Sequence, residues 1–157
     1  MSNKREDAKK RAIFLKQLRE TAGWALSKGC AVCVLKIGAE GLYARTTEDL
    51  TRITALGACA PKGPKEWASK ELLEPCFAVE AAGTTGAGDV TIAGFLAAVL
   101  RGSSIEDATV MALAAGASCV ERVDAAAGLP SWEELTGRVA SGWRQRATRT
   151  TLHGEGC

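Results

Sequence analysis

Gly86, Ala87, Gly88 and Asp89 stand together in the stretch AAGTTGAGDVTIAGFLAAVLRG, directly ahead of an apolar run. Glycines let the backbone approach a bulky anion with no Cβ in the way. The first amides of the helix that follows have no partners within the helix, and its dipole adds positive potential there. The pattern therefore predicts an anion hole at Gly86, Ala87 and Gly88, suited to a phosphate at the carboxyl end of a strand. Asp89 has two readings. As a first-turn acid it would contribute under ~1 kcal/mol to the helix. As a general base it would take the proton of a hydroxyl attacking that phosphate, which is what phosphoryl transfer asks of a side chain once the groups are aligned. The spacing matches neither the GxxxxGK[ST] loop nor a GxGxxG dinucleotide turn.

Other residue types carry less. Cys30 and Cys33 have CxxC spacing but fall in a strand-like run with no second pair, so most of the six cysteines read as buried free thiols. His153 lies in a polar terminal stretch and reads as exposed. Trp24, Trp67, Trp132 and Trp143 read as packing residues. Lys9, Lys10, Arg11, Lys16 and Arg19 read as the solvated face of a helix rather than a nucleic-acid arm. A formal net charge of +2 argues for neither nucleic acid nor a membrane surface. The longest apolar run stops short of a membrane span, and the charged N-terminus is no signal peptide, so the expected location is cytoplasmic.

The elements that would position the glycine stretch read as an α/β layer architecture of about four strands. A helix is expected over residues 7–28 from Phe14, Leu18, Ala22 and Leu26, closed by Gly29. CAVCVLKIG reads as a buried strand, GLYARTT and TRITALG as two more, and CFAVEAA as a fourth. Between them, residues 58–75 carry three of the four prolines and read as a loop with at most one helical turn. Three helices follow. The first runs from about Asp89 to Leu100. The second is capped by Ser104, with Asp107 three residues on, and reaches about Val123. The third has Ser131 as N-cap and Glu134 at the capping-box position. Residues 1–143 are expected to form the folded part and 144–157 a polar, mobile tail.

GTTGAGDVTIAGFLAAVLRG closely resembles the second signature of the ribokinase-like (PfkB) carbohydrate kinases, D-T-x-G-A-G-D followed by a small-residue helix. VLKIGAEGLYART is similar to the family's segment along the ATP phosphates, and AAGASCVERVDAAAGLPSWEEL to its adenine side. The resemblance covers residues 12–139 and implies a partial ribokinase-like (Rossmann-like) fold. It implies ATP with Mg²⁺ as cofactors and a sugar-like hydroxyl as acceptor. Asp89 would be the base, and Gly86, Ala87 and Gly88 the anion hole. Lys36, Gly38, Gly41, Thr84 and Thr85 would line the nucleotide, with Ala115 and Cys119 by the adenine. Gly83 stands where the family has an aspartate tied to monovalent-cation binding. Asn3 and Glu6 form the N-x-x-E pattern that relatives use near magnesium; a charged N-terminal segment is the other reading.

The family's N-terminal half, with its sugar-binding residues and lid, has no counterpart here. Two readings follow: an ATP-dependent sugar kinase lacking its N-terminal acceptor site, or a non-catalytic nucleotide-binding module acting with an acceptor subunit or partner. An open sheet edge would favour dimerisation or association. A plain interaction domain that binds no nucleotide is a third class.

Overall fold

The computed structural model describes residues 2–123, 129–147 and 152, with backbone alone for residues 2–5. Helix α1 (Ser2–Ser27) leads into strand β1 (Val32–Lys36). A 3₁₀ turn (Gly38–Glu40) returns the chain into β2 (Leu42–Thr46). Two short helices, α2 (Leu50–Thr54) and α3 (Pro64–Trp67), precede β3 (Glu71–Glu74). Helices α4 (Ala87–Leu100), α5 (Ile105–Val120) and α6 (Trp132–Ala140) complete the described elements.

The strands form one antiparallel sheet in the order β1-β2-β3, with Val34 opposite Ala44 and Ala44 opposite Leu72. Because side chains alternate across a strand, that register sorts the sheet into two apolar faces. Val32, Val34, Leu42, Ala44 and Leu72 pack with α4 and α5. Cys33, Leu35, Tyr43 and Leu73 pack under Leu15, Leu18 and Ala22 of α1. The result is a three-layer arrangement, helix on sheet on helix pair.

On the α1 side, the Tyr43 hydroxyl donates to Glu71 Oε1 at 2.8 Å, and Arg19 Nε donates to the same oxygen at 2.6 Å. Burial opposes ionisation of Glu71, yet these two bonds outweigh it and hold the carboxyl below its ordinary range. Burial, followed by the bond to Glu71, pushes the Tyr43 phenol well up.

Helices α4 and α5 cross closely because small residues face each other. A Cβ on Gly116 would lie 2.2 Å from Thr91 Oγ1, and one on Gly94 would lie 2.7 Å from Ala115 Cβ. This clearance lets the two helix backbones approach and seats the start of α4 against α5.

Several expectations change. TRITALG forms no strand: its first four residues lie in α2. The Asp49 side chain accepts from the amides of Thr51 and Arg52, and this local cap overrides the β-branched composition. The proline-rich stretch holds β3, which ends at Glu74, just before Pro75. CFAVEAA is no strand; Phe77 makes a single bridge, to Gln145. The described strands number three. Helix α1 begins at Ser2 rather than near Asp7. The caps at Ser104 and Ser131 stand as expected, the latter a full capping box with Glu134.

Trp67 is buried, Trp132 packs against the core, and Trp143 stacks on Phe77. Trp24 departs from the packing expectation: it is 65% exposed on α1. The first residues of the expected tail are held, since Arg144 O accepts from Ala78 N at 2.9 Å and Arg146 N donates to Cys76 O at 2.7 Å. His153 and most of the remaining tail lie outside the described residues.

Candidate functional site

The floor of the site is the N-terminus of α4. Gly86 caps it in the left-handed region at φ 76°, a conformation glycine adopts without a Cβ penalty, and no side chain caps the helix. Val90 N donates to Gly86 O at 2.9 Å, and Ala87 N to Thr84 O at 3.3 Å. Among the described residues the amides of Gly86, Gly88 and Asp89 have no acceptor. Unpartnered amides at the positive end of a helix dipole are an anion site in the making.

The end of β1 supplies a cation to that floor. A Cβ built on Gly88 would lie 2.7 Å from Lys36 Nζ, so the ammonium rests against the first turn of α4. Lys36 makes no ion pair among the described residues. A cation beside the positive end of a helix is unfavourable by itself, and an anion between the two relieves both.

Above this floor opens a cavity of about 370 Å³. Lys36, Gly38 and Gly41 line it from the β1–β2 turn, and Thr84, Ala87 and Gly88 from the start of α4. Residues distant in sequence thus line one cavity. Gly41 is fixed here by close approach: its φ is +119°, and a Cβ would fall 1.9 Å from Glu74 O. The far wall is apolar, from Leu113, Ala117 and Val120 of α5 with Phe77 and Val79. Among the described residues the charged lining side chains are Lys36 and Arg146, with no carboxylate. Two cations, free amides and an apolar wall suit a polyanion attached to a flat apolar body.

Other expected residues sit elsewhere. Asp89 is exposed in the first turn of α4, outside the cavity lining, and its side chain makes no ion pair among the described residues. The Thr85 carbonyl oxygen accepts from Cys119 Sγ at 3.7 Å, which buries Cys119 behind the turn rather than in the cavity. Ala115 faces Gly94 across the helix crossing. Gly83 N donates to Val120 O at 3.2 Å, and a Cβ there would lie 3.0 Å from Arg122 O.

Glu6 is ion-paired to Lys10 on α1, and the Asn3 side chain lies outside the described ones. Cys30 is exposed and Cys33 buried; burial, then Cys30, pushes the Cys33 thiol up. Among the described residues no three His, Cys, Asp or Glu side chains are grouped to hold a metal ion, and no helix is long and apolar enough to cross a membrane.

Cys76, Phe77, Val79 and Arg146 were not expected at the site. Burial pushes the Cys76 thiol up, with Arg146 opposing and Glu40 adding to the rise. Its Sγ donates to Gly38 O at 3.3 Å, tying this wall to the β1–β2 turn. The apolar alternation of Phe77 and Val79 was a usable signal; Arg146 gave none, because only tertiary pairing brings it there.

The model of the pfkB family carbohydrate kinases matches residues 15–132, and the chain belongs to that family. An uncharacterised sugar kinase of Archaeoglobus fulgidus is 28% identical over 118 residues, which are 75% of this chain and 39% of that protein. Ribokinase of Thermotoga maritima superposes with a TM-score of 0.60 at 24% identity, over 78% of this chain and 34% of that one. Aminoimidazole riboside kinase of Salmonella enterica, solved with aminoimidazole riboside and an ATP analogue, gives 0.51 at 25% identity, over 69% and 31%. The chain thus spans between about 31% and 39% of the length of these relatives. The fold is a partial ribokinase-like one.

Proposed function

We propose that the cavity binds ATP and that the chain forms the nucleotide-binding part of a sugar kinase. One observation carries this: Lys36, the unpartnered amides at Gly88 and the apolar wall of α5 meet in a single cavity whose charged lining, among the described residues, is basic. Bound Mg²⁺–ATP would supply the phosphoryl group and partly neutralise its charge.

The chain's own residues then have distinct tasks. Lys36 and the amides of Gly86 and Gly88 hold the terminal phosphate and stabilise charge that develops on it. Leu113, Ala117 and Val120 cover the base. Asp89, exposed and unpaired one residue beyond the anion hole, accepts the proton of the acceptor hydroxyl. Thr84 borders the phosphates, while Thr85, Ala115 and Cys119 support the walls from behind.

A second reading, a nucleotide-binding module that works with a separate acceptor-bearing partner, is favoured by the outer side of α4. Leu96 is 46% exposed and Leu100 59%, on a helix whose composition is apolar all round. The test measures Mg²⁺–ATP binding and phosphotransfer to a panel of sugars, for the chain and for Asp89→Asn. Both readings expect Mg²⁺–ATP binding by the chain and by Asp89→Asn. Transfer by the unaltered chain that is lost in Asp89→Asn supports the kinase reading with Asp89 as base, and no binding by either overturns both readings.

A further inference from the structure

The segment after α6 has no motif, yet it closes one side of the cavity. Phe77 and Gln145 pair as an antiparallel bridge, flanked by the Ala78 N to Arg144 O bond at 2.9 Å and the Arg146 N to Cys76 O bond at 2.7 Å. Gln145 Nε2 donates to Pro75 O at 3.2 Å. Trp143 stacks on Phe77 with ring centroids 4.4 Å apart, and its Nε1 donates to Ala78 O at 3.3 Å. The Arg138 guanidinium of α6 lies 3.5 Å from the centre of the Trp143 ring. These contacts fix the register of residues 143–146 along 75–78, and the side chain they deliver to the cavity is Arg146.

Arg146 makes no ion pair among the described residues, and its own backbone is already held through Cys76. Cys76 in turn bonds to Gly38, so the backbone of Arg146 is held beside the β1–β2 turn that Lys36 begins, and its guanidinium is left without a partner among the described residues. A guanidinium presents paired donors that match two oxygens of one phosphate, where an ammonium acts as a point charge. Resting on the nucleotide reading above, we propose that Arg146 is a second phosphate-binding residue. It holds the inner phosphates while Lys36 and the α4 amides hold the terminal one. Residues 143–146 are then part of the nucleotide site.

The test titrates ATP and adenosine into the unaltered chain, Arg146→Gln and Arg146→Lys at several salt concentrations, with near-UV circular dichroism reporting on the Phe77–Trp143 stack. The expected result is a loss of about tenfold in ATP affinity for Arg146→Gln, typical of one charge-assisted contact, with adenosine affinity unchanged. The salt dependence of ATP binding flattens, Arg146→Lys falls between, and the aromatic signal is retained. Unchanged ATP affinity in Arg146→Gln would overturn the proposal, and so would equal losses for ATP and adenosine, which mark a structural wall. If the unaltered chain binds neither ligand, the nucleotide reading itself falls and this proposal with it.

Discussion

Replacing Gly88 with alanine separates the site from the fold. Gly88 lies in the first turn of α4 and is not among the residues with positive φ, so its backbone accepts a side chain. The new Cβ would sit 2.7 Å from Lys36 Nζ, and that atom is the far end of a flexible chain able to swing away. Losing a glycine from a helix gains roughly 0.5–1 kcal/mol, and displacing one solvent-reachable ammonium removes less than that from folding. Stability should therefore stay within about 1 kcal/mol of the original, or about 2–4 °C in Tm for a chain of this length. Binding is different, because the displaced ammonium leaves the mouth of the anion hole. A charge-assisted hydrogen bond is worth about 1.5–3 kcal/mol, so ATP affinity should fall roughly tenfold to a hundredfold or more. Calorimetric titration beside a thermal melt measures both. Undiminished ATP binding in a folded Gly88→Ala chain would refute the placement of the phosphate against Lys36 and α4.

Three further outcomes follow from packing and charge. Gly41→Ala meets Glu74 O at 1.9 Å with φ at +119°, so it should destabilise by about 2–5 kcal/mol in urea unfolding. Trp143→Ala removes the stack on Phe77 and the bond to Ala78 O, and should lower stability by about 2 kcal/mol while erasing part of the near-UV signal. Glu71 has a folded-state pKa below its ordinary value near 4.5, so its stabilising contribution is present above that pH and is lost as pH falls through the folded value. Glu71→Gln should flatten the acid limb of a stability–pH curve measured from pH 7 downward, and an unchanged limb would exclude this carboxylate as a source.

Helix caps were legible because they are local. Ser104 with Asp107 and Ser131 with Glu134 each settle a terminus within four residues, and both hold in the structure. Strand membership was less so, because it depends on partners far along the chain. The β-branched start of TRITALG was drawn into α2 by Asp49, and ELLE, hidden among prolines, found a place beside β2. At the site, the glycines of GTTGAGD and the β1–β2 turn could be joined from the motif, and the fold places Lys36 against Gly88. Cys76 and Arg146 could not be joined to it: the bond between their backbones links positions 70 residues apart in a segment with no apolar rhythm.

The central claim is that this cavity holds a nucleoside triphosphate against Lys36 and the start of α4. Calorimetric titration of Mg²⁺ and a non-hydrolysable ATP analogue into the unaltered chain and into Lys36→Gln tests it most directly. The unaltered chain should bind saturably and one-to-one, and the folded variant at least about tenfold more weakly. No binding by the unaltered chain, or equal affinity in the two, would contradict it.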